Sequence, residues 1–178
     1  GIEIYANSNN NLTNITTSGN SQYGIHLESS SNNKFTSINA SDNINYGVYL
    51  EIKSNFNIFN GITVFGNNYG IVFESSSNNS LANINTSGNA VDGIYSALSY
   101  NNNFSNINAS GNSQYGLHTY DTFNNFLARI MASNNKHGIY LDRSFNNTFM
   151  NITASNNSLC GIYIYDGSAN NTFMNITA

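Results

Sequence analysis

The sequence contains no proline, no tryptophan and only one cysteine among its 178 residues. A single cysteine cannot form a disulfide framework, so the fold must be stable without one. Lysine and arginine together number 5, which leaves no basic stripe of the kind that binds nucleic acid. Only 8% of the residues are charged, yet no apolar run approaches the roughly 18 residues of a membrane span. These absences argue against a disulfide-stapled module, a nucleic-acid-binding domain and a membrane-spanning segment.

What the sequence does contain is a repeat of 23 residues marked by glycine. The anchor glycines are Gly1, Gly24, Gly47, Gly70, Gly93, Gly116, Gly138 and Gly161. A Phe or Leu recurs in step with them, and an isoleucine follows it three residues later, as Phe35 and Ile38 do. Self-similarity at this period predicts a solenoid. We expect residues 1–178 to form one repeat array that is a section of a longer chain.

The spacing of apolar residues within each repeat predicts strands. Ile25 and Leu27 flank His26, which is the alternation of a strand with one buried face. Phe35 precedes Ile38 by an odd spacing, so both can point inward only if the backbone bends between them. We therefore predict an all-β fold, a right-handed parallel β-helix with three short strands per coil and nearly eight coils. Each strand should pair with its equivalent one coil away, at about 4.8 Å.

Asparagine occupies 39 positions, many of them in two unbroken columns of the repeat. The first column is Asn10, Asn33, Asn57, Asn79, Asn102, Asn125, Asn147 and Asn171. The second column is Asn20, Asn43, Asn67, Asn89, Asn112, Asn135 and Asn157. Asparagine tolerates a left-handed backbone in a bend, and stacked amides can hydrogen-bond from coil to coil. We interpret the first column as a structural asparagine ladder.

The repeat also resembles a known family. Its clearest copy, from Gly138 to Asn157, reads Gly-Ile-Tyr-Leu and then Ser-x-Asn-Asn-Thr-Phe-x-Asn-Ile-Thr-Ala-Ser-x-Asn. This is similar to the repeats of NosD-like proteins, also grouped as carbohydrate-binding and sugar-hydrolase (CASH) repeats. The resemblance implies a right-handed parallel β-helix of the kind found in archaeal cell-surface proteins. It leaves the function open, because that family includes enzymes, a copper-maturation protein and surface proteins.

The outward positions of the strand after each glycine are rich in tyrosine and carboxylates. The residues that we single out as a carbohydrate-contact face are Tyr49, Glu51, Tyr95, Tyr120, Tyr140, Tyr163 and Tyr165. Tyrosine rings can stack on sugars, and carboxylates can bind sugar hydroxyls. The alternative, which we favour, is that ring-on-ring columns stabilise neighbouring coils, at about 0.2–1 kcal/mol per pair.

One outward column places Glu28, Glu51 and Glu74 on three consecutive coils. The expected separations, about 5 and 10 Å, bracket those of the carboxylate pairs in glycosidases. No arginine, lysine or second acid is placed to make one of these carboxylates an acid and another a base, so a bound cation or a solvated charge is the better interpretation. The histidines His26 and His118 are four coils apart and cannot share a metal. We therefore predict no catalytic residue, no cofactor and no metal centre built on histidine, and the sequence leaves open whether the column Glu28, Glu51 and Glu74 binds a cation.

Acceptor sequons for N-glycosylation are frequent, and Asn39, Asn85 and Asn108 fall in one outward column; Asn151 is a further candidate. We interpret the chain as an extracellular structural or adhesive surface protein that forms a stiff, N-glycosylated rod, coat or filament. The alternative is a polysaccharide-binding or polysaccharide-cleaving module. We expect end-to-end self-association, because neither end carries a cap, and contact with surface glycans.

Overall fold

The computed structural model describes residues 1–178 and shows coils stacked into a β-solenoid of two parallel, eight-stranded sheets. The first sheet consists of β1 (Ile2–Tyr5), β3 (Tyr23–Glu28), β5 (Tyr46–Glu51), β7 (Tyr69–Glu74), β9 (Ile94–Ala97), β11 (Tyr115–Tyr120), β13 (His137–Asp142) and β15 (Cys160–Tyr165). The second sheet consists of β2 (Asn11–Ser18), β4 (Lys34–Ser41), β6 (Ile58–Phe65), β8 (Ser80–Thr86), β10 (Asn103–Asn108), β12 (Phe126–Met131), β14 (Thr148–Thr153) and β16 (Thr172–Thr177).

The predicted fold class is confirmed, with about eight coils joined by parallel pairing one repeat apart. Ile25 pairs with Val48 in the first sheet, and Phe35 pairs with Phe59 in the second. Each coil contains two strands and not the predicted three, because the second and third segments form one strand that continues through a bend. In β4 this bend lies at Ser37, whose φ is 56°. None of the elements is a helix long and apolar enough to cross a membrane.

Residues with left-handed backbone turn the chain at four corners of each complete coil, and one corner holds two such residues in the third coil, Ile52 and Lys53. In the second coil the corner residues are Ser29, Asn32, Ser37 and Asp42. The asparagines of the predicted ladder do not occupy these corners, because the left-handed residue is the one just before, as Asn101 is before Asn102. We expected one asparagine to turn the backbone and to bind the next coil. In the structure the first of two adjacent residues turns the backbone, and the second forms the hydrogen bonds to the next coil.

The interior is a thin continuous core that repeats from coil to coil. In the second coil Ile25, Leu27, Phe35 and Ile38 point inward and are buried, and their equivalents are buried in the other inner coils and mostly half-buried in the first and last coils. The ring of Phe35 lies parallel to that of Phe59 on the next coil, with 4.6 Å between centroids. Burial of apolar surface contributes about 25 cal/mol per Å², so this repeated core drives the stacking of the coils.

The anchor glycines do not have positive φ, so backbone conformation does not explain them. Close packing does. A Cβ added at Gly116 would lie 2.6 Å from the carbonyl oxygen of Ala109 and 2.7 Å from that of Gly138. It would also lie 2.8 Å from Nδ2 of Asn135. The first and second sheets thus meet at a point where only a hydrogen atom fits.

Columns of polar side chains bind each coil to the next. In the first asparagine column the backbone N–H of one residue donates to Oδ1 of the next at every step, for example Asn33 to Asn57 at 2.9 Å. The second column repeats this pattern, as Asn112 does with Asn135 at 2.7 Å. A third column consists of buried hydroxyls, mostly serine, in which the N–H of Ser76 donates to Oγ of Ser99 at 3.0 Å.

Candidate functional site

The outer face of the first sheet carries three parallel columns of aromatic, histidine and acidic side chains. The tyrosine column is Tyr23, Tyr46, Tyr69, Asp92, Tyr115, His137 and Cys160. The central column is Glu3, His26, Tyr49, Val72, Tyr95, His118, Tyr140 and Tyr163. The acidic column is Tyr5, Glu28, Glu51, Glu74, Ala97, Tyr120, Asp142 and Tyr165. We call these three columns together the polar face.

The rings of the polar face stack mainly on one another. Tyr23 and Tyr46 are nearly parallel, with 5.6 Å between ring centroids, and the ring of Tyr46 lies 4.8 Å from that of Tyr49. This covers Tyr49, which is only 8% exposed although it points outward. At the last coil Tyr163 and Tyr165 are 38% and 49% exposed. Most of these tyrosines therefore offer solvent a ring edge and a hydroxyl group, and few offer an open ring face.

Two carboxylates share the hydroxyl group of Tyr49. Its oxygen lies 2.6 Å from a Glu74 oxygen and 3.1 Å from a Glu51 oxygen, and the hydroxyl hydrogen can be donated to one of them at a time. Burial raises the pKa of Tyr49 above its ordinary value, and the bond to Glu74 and the charges of both glutamates raise it further. Tyr49 is therefore a neutral donor that links adjacent members of the acidic column.

His26 joins the acidic column, a contact that the sequence pattern did not reveal. Its Nε2 lies 2.8 Å from Oε1 of Glu51 on the next coil, and its side chain is buried. Ligand atoms of His26, Glu28 and Glu51 all lie within 4.8 Å of one another. From the repeat alone, His26 lies four coils from His118 and has no predicted contact with the acidic column, which is why no metal centre was expected here. The cluster arises because neighbouring columns also meet diagonally, from one coil to the next.

A second acid–imidazole pair lies further along the polar face. Oδ2 of the buried Asp92 lies 3.3 Å from Nδ1 of His118, and Oδ1 accepts the N–H of Tyr115 at 3.3 Å. Burial raises the pKa of Asp92, an effect that the hydrogen bond and charge of His118 and the N–H of Tyr115 partly oppose. Rings of Tyr95 and Tyr115 lie 4.8 Å from the imidazole centroid. The pair can hold the imidazole in one orientation beside solvent.

The candidate glycosylation residues lie on the second sheet. Asn39, Asn85 and Asn108 share one column through Thr63, as the repeat predicts, and are half-buried. Nδ2 of Asn108 donates to Oδ1 of Asn85 at 3.1 Å, while Asn151 lies exposed at the bend. A shallow groove runs between this column and the bend, lined by side chains such as Asn85 and Asn108.

An exposed stack of aromatic rings lies at another corner. Tyr100, Phe123 and Phe145 stack with centroids 4.7 and 5.3 Å apart, and their backbones pair as isolated bridges. This stack could not be predicted from the repeat, because the equivalent positions of earlier coils hold polar residues such as Ser77. Tyr100 is 40% exposed, so this corner adds an apolar strip to the surface.

Comparison with known families identifies the repeat. The family model described as "Periplasmic copper-binding protein (NosD)" matches residues 52–175, which is more than half of the chain. The chain belongs to the NosD family. A second family model, described as "Right handed beta helix region", matches residues 1–85 of this NosD-family chain. No curated protein matches the chain in sequence.

Solved structures share the fold of this NosD-family chain at low sequence identity. The periplasmic alginate epimerase AlgG has a TM-score of 0.86 at 17% identity, over 97% of this chain and 47% of that chain. The A-module of the Azotobacter vinelandii mannuronan C-5 epimerase AlgE6 has a TM-score of 0.85 at 13% identity, over 99% of this chain and 54% of that chain. The chain spans about half the length of these proteins, and the likeness is one of fold.

The copper named in the family description can be tested against the side chains of this NosD-family chain. The one group of three His, Cys, Asp or Glu side chains close enough to share an ion contains His26 and Glu28, which lie outside the matched residues. Within residues 52–175, His118 lies against Asp92, and Met150 has only Met174 as its register partner among soft donors. His137 and the free Cys160 are partners in register, but no third His, Cys, Asp or Glu donor is close enough to complete a set of three with them. The matched residues therefore offer pairs of donors and do not fit a copper centre of three or more protein ligands.

Proposed function

We propose that the chain is a stiff scaffold of the cell envelope or extracellular space, and that its polar face binds a neutral polysaccharide. The observation that carries this proposal is the continuity of the polar face, whose hydroxyl groups and carboxylates run in register across the eight strands of the first sheet. Such rows can accept and donate hydrogen bonds to the repeating hydroxyl groups of an extended sugar chain. The fold shared with the alginate and mannuronan epimerases supports a polysaccharide ligand only in general, and the choice of a neutral one depends on the charge of the face.

The scaffold part of the proposal is supported by the way in which coils are joined. Three columns of side-chain hydrogen bonds and a continuous apolar core connect each coil to the next, as at Asn33 and Asn57, Asn112 and Asn135. In repeat proteins of this kind stability is distributed along the array, and the array acts as a rigid spacer. We extend the proposal to end-to-end association of such rods, since the same parallel pairing would join one rod to another.

The charge of the face favours a neutral ligand over an acidic one. Glu28, Glu51 and Glu74 are consecutive on the acidic column, and the only guanidinium stacked on a ring of this face is that of Arg143, 4.4 Å from the ring centroid of Tyr120. The chain carries a net charge of -4. A polyuronate would be repelled, whereas hydroxyl groups of a neutral glucan can donate to these carboxylates.

We propose that this chain has no glycosidase or lyase activity. The connections between strands are short and nearly constant in length, so no long loop encloses a cleft on the polar face. One observation favours a second candidate function, proton transfer on a bound sugar: Asp92 can hold Nδ1–H of His118 and leave Nε2 available as a base. Loss of a sugar-modifying activity in both Asp92→Asn and His118→Phe would favour this second function.

The envelope or extracellular location is part of the proposal. The family description names a periplasmic protein, and the structural neighbour AlgG is described as periplasmic. Glycosylation at Asn39, Asn85, Asn108 and Asn151 is likewise proposed, with Asn151 the most accessible of the four. Mass spectrometry of the protein from its native source would show which of these asparagines carry sugar.

Binding can be tested with the purified chain by affinity electrophoresis through gels that contain a neutral glucan or alginate. We expect the glucan to retard the chain and alginate to have no effect. Tyr165→Ala, at an exposed position of the face, should weaken retardation, and Phe126→Ala, exposed on the second sheet, should not. Equal retardation of both variants, or retardation by neither polymer, would overturn the proposal.

A further inference from the structure

We propose that His26, Glu28 and Glu51 form a binding site for a divalent cation of the Zn²⁺ type, with Glu3 at its edge. The three ligand groups come from two consecutive strands, β3 and β5, so the pairing of those strands fixes their positions. This site lies on the polar face but does not depend on polysaccharide binding.

The imidazole lies between two carboxylates, which is the first argument for a cation. Its Nε2 lies 2.8 Å from Oε1 of Glu51, and its Nδ1 lies 3.5 Å from Oε1 of Glu3. Nδ1 has no hydrogen-bond partner although its atom is buried, and the side chain is only 6% exposed. A neutral imidazole that donates from Nε2 presents a lone pair at Nδ1 toward a carboxylate. A cation bound at Nε2 would leave the imidazole proton on Nδ1, where it faces the carboxylate of Glu3, and this removes the conflict.

The second argument is the balance of charge. Glu3, Glu28, Glu51 and Glu74 lie on four consecutive coils of the same face. No lysine or arginine forms an ion pair with any of them, and their only ionic contacts are those of Glu3 and Glu51 with His26. Carboxylates this close repel one another, and a divalent ion offsets two of the four charges.

The donor set selects the class of cation. One imidazole nitrogen with two carboxylate oxygens is a ligand combination that Zn²⁺ accepts, at about 2.0–2.2 Å from each donor. Ca²⁺ and Mg²⁺ bind through oxygen alone and would gain nothing from His26. Ligand atoms already lie within 4.8 Å of one another, so a shift of about 1 Å in the flexible glutamate side chains would close the site.

The cation site can be tested by titrating the metal-free chain with ZnCl₂ in a calorimeter. We expect saturable binding at one ion per chain and a melting temperature that rises with Zn²⁺ concentration. Co²⁺ in place of Zn²⁺ should give the visible absorption of a low-symmetry nitrogen and oxygen site. CaCl₂ should compete poorly.

Matched variants distinguish a specific cation site from unspecific attraction of cations to the carboxylates of the polar face. His26→Tyr keeps an aromatic ring in a column that holds tyrosine at Tyr49, while it removes the nitrogen ligand; Glu51→Gln removes one carboxylate at almost constant size. Each should weaken Zn²⁺ binding by about tenfold or more. The controls His118→Tyr and Asp142→Asn, on the same columns but on coils further along the solenoid, should leave it within about twofold of wild type.

Two results would overturn the assignment. Equal Zn²⁺ affinity of His26→Tyr and wild type would show that the imidazole is not a ligand. Ca²⁺ binding tighter than Zn²⁺ binding would show a site made of carboxylates alone. If His26→Tyr does not fold, Glu28→Gln and Glu51→Gln carry the same test, and absence of saturable Zn²⁺ binding to the folded wild type rejects the site.

Discussion

The backbone N–H of Asn102 donates to Oδ1 of Asn125, one coil further along the solenoid, at a distance of 2.8 Å. The oxygen of Asn102 in turn accepts the N–H of Asn79 at 2.8 Å, and its Nδ2 donates to the carbonyl oxygen of Ser76 at 3.2 Å. One side chain therefore satisfies backbone groups at two points of the preceding coils. Asn102 itself is buried, so water cannot replace these bonds.

Asn102→Leu should destabilise the chain strongly. The substitution leaves the N–H of Asn79 and the carbonyl of Ser76 without these partners, at about 1–3 kcal/mol for each buried group. We expect a loss of roughly 2–4 kcal/mol in the free energy of unfolding, measured by urea denaturation. Asn103→Leu, at the neighbouring exposed position, is the control and should change stability little. Equal stability of the Asn102 variant and wild type would contradict a structural ladder.

Gly116→Ala should destabilise the chain for a steric reason. The added methyl would meet two backbone carbonyls and the Asn135 amide, none of which can move without disturbing the next coil. We expect a cost of about 1–3 kcal/mol or more, visible as a lower thermal midpoint. Gly111→Asn is the matched control: Gly111 has a φ of 73° and open space around its Cα, and asparagine adopts the same corner at Asn134. A tolerated alanine at Gly116 would show that the sheets can move apart there.

Stability should fall as the pH falls through the range in which His137 titrates. Burial lowers the pKa of His137 below its ordinary value of 6.5, and Lys136 lowers it further. Below pH 6.5 the unfolded chain therefore takes up a proton that the folded chain binds less tightly, and the folded state loses stability. His137→Tyr, which restores the tyrosine of that column, should lose this dependence, whereas Tyr115→Phe should keep it. Thermal midpoints between pH 5 and 8 check the result, and identical slopes in wild type and His137→Tyr would refute it.

Asp92 should make the folded state less stable as the pH rises, which is the opposite of the effect of His137. Its pKa is raised above the ordinary value of 3.8, mainly by burial, so the folded state binds the proton more tightly than the unfolded state does. This contribution to stability is fully present below pH 3.8 and is lost as the pH rises through the raised pKa. Wild type should therefore lose stability relative to Asp92→Asn as the pH rises from about 3.8. Urea midpoints of the two proteins at several acidic and neutral pH values give the difference. A wild type that gains stability relative to Asp92→Asn with rising pH would contradict the raised pKa.

The repeat made the fold predictable, because strand spacing, the inward Phe35 and Ile38, and the asparagine columns all depend on sequence period alone. The position of the corners was less predictable, since residues as different as Ser37 and Gly61 adopt the same left-handed turn. The contact between His26 and Glu51 could not be inferred from columns, because it connects two columns diagonally. The buried serine column was hidden for another reason: serine is also common on the surface, so its period did not stand out.

The polar columns also determine how the length of this protein can change. Every coil presents the same donors and acceptors to its neighbours, so deleting residues 93–115 as a block would bring Asn79 opposite Asn125 and restore each column. Deleting about half a coil would shift the ladder asparagines out of register with their partners. Both asparagine columns and the buried hydroxyl column would then be interrupted at the same coil. Viable length variants should therefore differ by whole coils, and the rod should lengthen or shorten in increments of about 4.8 Å. If the chain is the scaffold that we propose, unequal recombination between repeats could adjust its length without any change in the fold.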